Sequence, residues 1–256
     1  MLIHESSIFR HLPEKARKET LLLDGIRYSL EMSDFAYKFL KDIATDLSIR
    51  FFQQCFKTGD GGTAMVLFAW SIVDSVDRLR NMLRHTRTFN SKEPYIKTFL
   101  DKTNIVRELR NKIQHQPGKI DEYIKYDSTI IGVLGWVHLE NTSSTRVLSF
   151  TFIPGTVFDA KEHSMVNPSG RQLQPPVDLL TLSVNEKVLC LSELFEELKI
   201  LTQNLESALN LLFHGKPNSG SDALVVAEMD FSGKGKGDRF VAGDKLGIGV
   251  KTSGNS

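Results

Sequence analysis

The chain has 256 residues, 41% of them hydrophobic and 25% charged, with a formal net charge of +1. That balance suits one large globular domain or two small ones, and it excludes a chain drawn to nucleic acid or anionic lipid by its overall charge. Cys55 and Cys190 have no metal-ligand spacing and make a poor disulfide framework, so a reducing, cytoplasmic compartment is expected.

The N-terminus, MLIHESSIFRHLPEK, lacks the apolar core of a signal peptide. No apolar stretch is long enough to span a bilayer: the richest, TAMVLFAWSIVDSVDRL, takes a charge at Asp74. No membrane partner is expected, and the Asn141-Thr142-Ser143 sequon then has no use.

From Glu14 to Phe56 apolar residues recur at three- and four-residue spacing (Leu22, Ile26, Leu30, then Phe35, Phe39, Ile43, Leu47), the period of helices. The run is long for one globular helix, and Ser33-Asp34 reads as the cap of a second one. KTGDGG at 57–62 is a break. A helix follows over about 63–86, apolar in its first half and basic in its second, as in a central bundle helix whose end emerges at the surface. Another spans about 92–116, with Pro94 in its first turn and Pro117-Gly118 as its stop.

Residues 128–191 change period. TIIGVLGWVHLE, TRVLSFTFIPGTVF and VDLLTLSVNEKVLCL are β-branched and aromatic runs that predict three or four antiparallel strands, with a hairpin tip at Asn185-Glu186. LSELFEELKILTQNLESALNLLF then starts at a Ser192 cap and repeats apolar residues at 191, 194, 198, 201, 205, 208 and 212. We read it as a closing bundle helix, with a self-pairing seam as the alternative. From His214 onward Gly, Ser, Lys and Asp predict a flexible tail. Its SGKGKGD lacks the GK[ST] ending of a phosphate loop.

No serine elbow, zinc signature or paired-carboxylate motif appears, so neither metal nor cofactor is expected. His4, His11, His138, His163 and His214 read as structural or surface residues, His138 on one face of a strand. The other two histidines close a repeated pattern: RNMLRH at 80–85 and RNKIQH at 110–115 are both R-N-x-x-x-H near a helix end. In a helix Asn111 and His115 lie about 40° apart, one turn along, while Arg110 sits about 140° round the axis from His115. A helix C-terminus favours imidazolium, which suits His115 to phosphate contact or proton transfer, and arginine matches phosphate bidentately. Asp74 and Asp77 are placed either to pair with a motif arginine across the bundle or to pair within their own helix with Arg78 and Arg80.

A helical bundle whose late helix carries R-N-x-x-x-H just before a stop resembles the HEPN superfamily (higher eukaryotes and prokaryotes nucleotide-binding). RNKIQH carries the resemblance at Arg110, Asn111 and His115, over roughly residues 33–118. RNMLRH fits the same pattern; the later position of RNKIQH and the stop behind it make it our choice. The resemblance implies a metal-independent endoribonuclease acting as a homodimer on RNA, in the toxin or phage-defence setting usual for that family, with an antitoxin-like protein partner. Arg110 would then stabilise the phosphate, Asn111 orient the site and His115 transfer a proton, a 2′-hydroxyl attacking to leave a 2′,3′-cyclic phosphate. Arg78, Arg80, Arg84, His85 and Arg87 would line an RNA path.

The expected fold class is therefore α+β, mainly α: a HEPN-like helical bundle with an inserted antiparallel β-meander and a C-terminal helix. Its expected parts are an N-terminal helical extension (1–32), the bundle (33–118), the β insertion (128–191), a closing or dimerising helix (192–213) and the tail (214–256). Two other readings stay open. One is a non-catalytic HEPN-like module that binds RNA, a nucleotide or a protein, which the near-neutral charge favours. The other is a purely structural module in which Arg110 and His115 are surface residues.

Overall fold

The computed structural model describes residues 1–13, 17–55, 61–115, 118, 120–125, 129–140, 146–155, 165–215 and 222. Its class is mixed α+β, mainly α. After a 3-10 turn at Ile8–Arg10 come α1 (Arg17–Phe52), α2 (Gly62–His85), α3 (Pro94–Lys102), α4 (Asn104–Gln114) and α5 (Ile120–Lys125). Strands β1 (Val133–Leu139), β2 (Val147–Phe152), β3 (Val177–Val184) and β4 (Lys187–Cys190) precede α6 (Leu191–Phe213).

The expected break at Ser33-Asp34 is absent, and the boundary at 32/33 falls inside α1. Ser33 Oγ donates back to the Ser29 carbonyl at 2.8 Å, and Asp34 pairs with Lys38 one turn on. Ser33 is buried, so its hydroxyl is satisfied within the helix rather than capping a new one. Conversely, the single helix expected over 92–116 is two. The Leu100 carbonyl, which an unbroken helix would offer to the Asn104 N–H, accepts from Arg80 Nη1 at 2.5 Å, and Thr103 Oγ1 accepts from the same nitrogen. An inserted side chain that takes a backbone acceptor is a recognised cause of helix interruption.

The sheet is antiparallel, but it is not a meander. Its order is β2-β1-β3-β4, because β1 and β3 pair with each other and stand at the centre. The β3–β4 hairpin turns at Asn185, whose φ of 52° is one that asparagine tolerates better than most residues. Trp136 Nε1 donates to Ser48 Oγ of α1 and Trp70 Nε1 to the Ile131 carbonyl, each at 2.9 Å, tying the sheet to the bundle. One hydrophobic core runs through α1, α2, α3, α4, the sheet and α6, so the β segment is a layer of the same domain.

The expected Ser192 cap is also absent. The N-cap of α6 is Cys190, and Ser192 Oγ faces inward, accepting from the Leu180 N–H at 3.0 Å and the Tyr37 hydroxyl at 3.1 Å. Along α6 the buried stripe follows Leu191, Leu194, Leu198, Leu201 and Leu205, then moves to Leu209 and Phe213, leaving Leu212 48% exposed. That 3.6-residue drift fits a straight helix closing its own core. Of the tail, His214, Gly215 and Asp222 are described; the SGKGKGD segment, His163 and the 141–143 sequon lie outside the described residues. Among the described residues no helix is long and apolar enough to cross a membrane.

Candidate functional site

α2 and α4 pack side by side and run antiparallel: Arg80 of α2 meets Asn104 at the start of α4, while Asp74 meets Arg110 near its end. Core positions Ile72, Val76, Leu79 and Leu83 fix the inward face of α2, which turns Asp74 and Asp77 toward α4. Val106 and Leu109 bury the matching face of α4 and leave Arg110 on its flank.

Arg110 Nε donates to Asp74 Oδ1 at 2.9 Å and Nη1 to Asp77 Oδ2 at 3.0 Å. The bond to Asp74, helped by the Asp77 charge, raises the guanidinium pKa against the opposing effect of burial. Of the two placements open to the aspartates, Asp77 takes the one across the bundle. Asp74 takes both, pairing with Arg110 and with Arg78 one turn along its own helix. Asp77 Oδ2 also accepts from Asn81 Nδ2 at 3.3 Å. One buried carboxylate therefore joins the arginine of RNKIQH to the asparagine of RNMLRH. Its other oxygen, Oδ1, has no partner among the described residues.

Asn111 is exposed, and so is His115, which caps α4 with its N–H on the Lys112 carbonyl at 3.3 Å. The expected stop at Pro117 lies outside the described residues; the helix itself ends at Gln114. His85 is exposed at the other end of the pair, its Nδ1 2.7 Å from the Asn81 carbonyl. Because the helices are antiparallel, the rise per residue puts His85 and His115 on the order of 20 Å apart along the axis. The two motifs meet at their polar middles and diverge at their histidines.

Arg80 corrects the expected RNA path. It is fully buried, and burial, together with the charges of Arg84 and Arg107, pushes its pKa down to about 10. Its Nη1 donates to the Leu100 carbonyl and Thr103 Oγ1 and its Nη2 to Asn104 Oδ1, while Nε has no partner among the described residues; the side chain holds the α3–α4 corner and faces no solvent. The signal was in the sequence: Arg80 is one residue after Leu79 and three before Leu83, within the apolar arc of α2. Arg78, Arg84, His85 and Arg87 are exposed. The backbone N–H of Arg87 is held by Glu19, which also accepts from Thr86 and Thr88 and so ties the start of α1 to the end of α2.

The described residues hold no group of three His, Cys, Asp or Glu side chains placed to bind a metal ion. A cleft of about 430 Å³ between α1 and α6, lined by Tyr37, Lys41, Arg171, Asp178 and Glu196 among others, includes none of the motif residues. No family model, curated protein or solved structure matches the chain. The functional reading therefore rests on the α2–α4 geometry and on the motif.

Proposed function

We propose that the chain is a HEPN-like, metal-independent endoribonuclease that works as a dimer, with the α2–α4 face holding RNA. The observation that supports this reading is the mounting of Arg110. Asp74 and Asp77 fix its Nε and Nη1, Nη2 has no partner among the described residues, and the side chain is 30% exposed. A guanidinium oriented in advance and left with a free edge suits a phosphodiester. Exposed Asn111 and His115 follow on the same helix.

In this reading Arg110 draws charge from the scissile phosphate and Asn111 orients it. The 2′-hydroxyl attacks phosphorus, and the bond to the 5′-oxygen breaks, leaving a 2′,3′-cyclic phosphate and a 5′-hydroxyl. His115 moves a proton, either from the attacking oxygen or to the leaving one. One protomer cannot bring His85 to His115 along an antiparallel pair, so a second imidazole would come from another copy.

One observation favours the non-catalytic alternative, a HEPN-like module that binds RNA, a nucleotide or a protein. Asp74 and Asp77 offset the charges of Arg78 and Arg110, which leaves the centre of the face neutral where a polyanion would need a cation.

RNA cleavage in EDTA separates the two readings, with wild type compared against His115→Ala and His85→Ala. The nuclease reading expects EDTA-resistant cleavage with cyclic-phosphate ends that is lost with His115→Ala and kept with His85→Ala. A folded, dimeric wild type that cuts nothing would sink it and leave the binding module.

A further inference from the structure

The outward face of α1 is apolar where a surface helix is normally polar. Tyr28, Met32, Phe35 and Phe39 follow one another at helical spacing and are 46%, 45%, 57% and 43% exposed. Phe68 of α2 stacks on Phe39 with ring centroids 5.4 Å apart and lies 6.4 Å from Phe35. A contiguous aromatic patch on the surface marks a place where something docks.

The start of this stripe already holds a piece of the tail. Asp222 accepts from Arg27 Nη1 at 2.9 Å, from Arg27 Nη2, and from the Tyr28 hydroxyl at 2.7 Å, with Arg10 at 3.8 Å. The Arg27 side chain is only 4% exposed, so the clasp is built into the body rather than formed by a loose surface arginine. The guanidinium also lies 4.3 Å from the centre of the Tyr28 ring. Directly after Asp222 the sequence reads ALVVAEMDF at 223–231, an apolar stretch in a tail otherwise rich in Gly, Ser, Lys and Asp.

We propose that residues 223–231 cover the Met32, Phe35, Phe39 and Phe68 patch of their own chain, with the Asp222–Arg27 pair as the anchor. The reach suffices. Tyr28 to Phe39 is about 16 Å of helix, and nine residues cover about 30 Å extended or about 13 Å as a helix. Tethering favours this occupant over a second copy, because a segment joined directly to an anchored residue has an effective concentration on the order of millimolar. The inference is independent of the α2–α4 reading.

Hydroxyl-radical footprinting of the full chain tests it, since it reads the exposure of Met and Phe side chains. Wild type is compared with Asp222→Ala and with the double variant Val225→Asp/Val226→Asp, which leaves the clasp and the body untouched. Oxidation of Met32, Phe35 and Phe39 should be severalfold slower in wild type than in either variant. Wild-type rates equal to those of the double variant overturn the proposal. Protection that survives the double variant overturns it too, and its loss on dilution would assign the patch to a second copy.

Discussion

Asp77 accepts from Arg110 at 3.0 Å across the α2–α4 contact, and the Asp77 side chain is 4% exposed while that of Arg110 is 30% exposed. The buried partner is the fixed one, so the arginine takes its position from the aspartate. The same oxygen takes Asn81, which makes Asp77 the common support of both R-N-x-x-x-H segments.

Asp77→Ala should therefore cost about 1–3 kcal/mol, since it strips the acceptor from two donors, one of them charged. In a double-mutant cycle with Arg110→Ala, urea unfolding should give a coupling of about 1 kcal/mol or more. Additive losses would mean that the carboxylate does not hold the arginine.

Arg80→Ala should destabilise by about 3 kcal/mol or more, because it leaves a cavity at a fully buried site and frees the Leu100 carbonyl. Arg80→Met keeps much of the volume and should lose less. If RNA binds this face, Arg84→Ala should instead leave the melting temperature near wild type and reduce the salt dependence of binding by about one phosphate contact. A mild Arg80→Ala would contradict its structural role.

Ser192→Ala should cost about 1–3 kcal/mol by leaving the buried Leu180 N–H and Tyr37 hydroxyl without their shared oxygen. Burial pushes the Tyr37 phenol up to about 12, so the phenol that Tyr37→Phe removes from an ultraviolet titration should be one that resists ionisation until the fold itself gives way. A phenol that titrates freely near its ordinary value of about 10 would show that this junction is open to water.

His138 lies in β1 among aromatic rings, 5.3 Å from Phe52 and 6.5 Å from Phe150, with Nδ1 unpartnered among the described residues. Burial lowers its pKa against the opposing pull of Glu140. Between the folded value and the unfolded one near 6.5, the unfolded chain binds a proton that the folded chain refuses. Stability should fall as pH drops from about 6.5 toward the folded value and level off below it. Urea midpoints across this range should show the slope, and His138→Phe should flatten it. An unchanged slope would assign it to other groups.

Periodicity marked α2 and α6 because in each of them one face is buried and the other is wet, and that contrast is written residue by residue; β1 is buried throughout, and β-branched and aromatic composition marked the strands instead. The Asn185 turn was legible for a related reason, since a tight hairpin selects residues that accept positive φ. The Ser33 and Ser192 caps failed because a serine in sequence does not say which acceptor or donor it meets. One bonds back inside an unbroken helix, and the other serves a strand and a tyrosine.

The sequence by itself determined a mainly helical α+β chain, its helix and strand phases, and two R-N-x-x-x-H segments near helix ends. Only the tertiary structure decided that α2 and α4 run antiparallel. That direction joins the motifs at Asp77 and separates their histidines. It also decided that Arg80 is buried at the α3–α4 corner while Arg110 stands at the surface, and that Asp222 returns to α1. These are contacts between residues 20 to 195 positions apart. Local propensity carries no record of such distant partners, and only packing selects them.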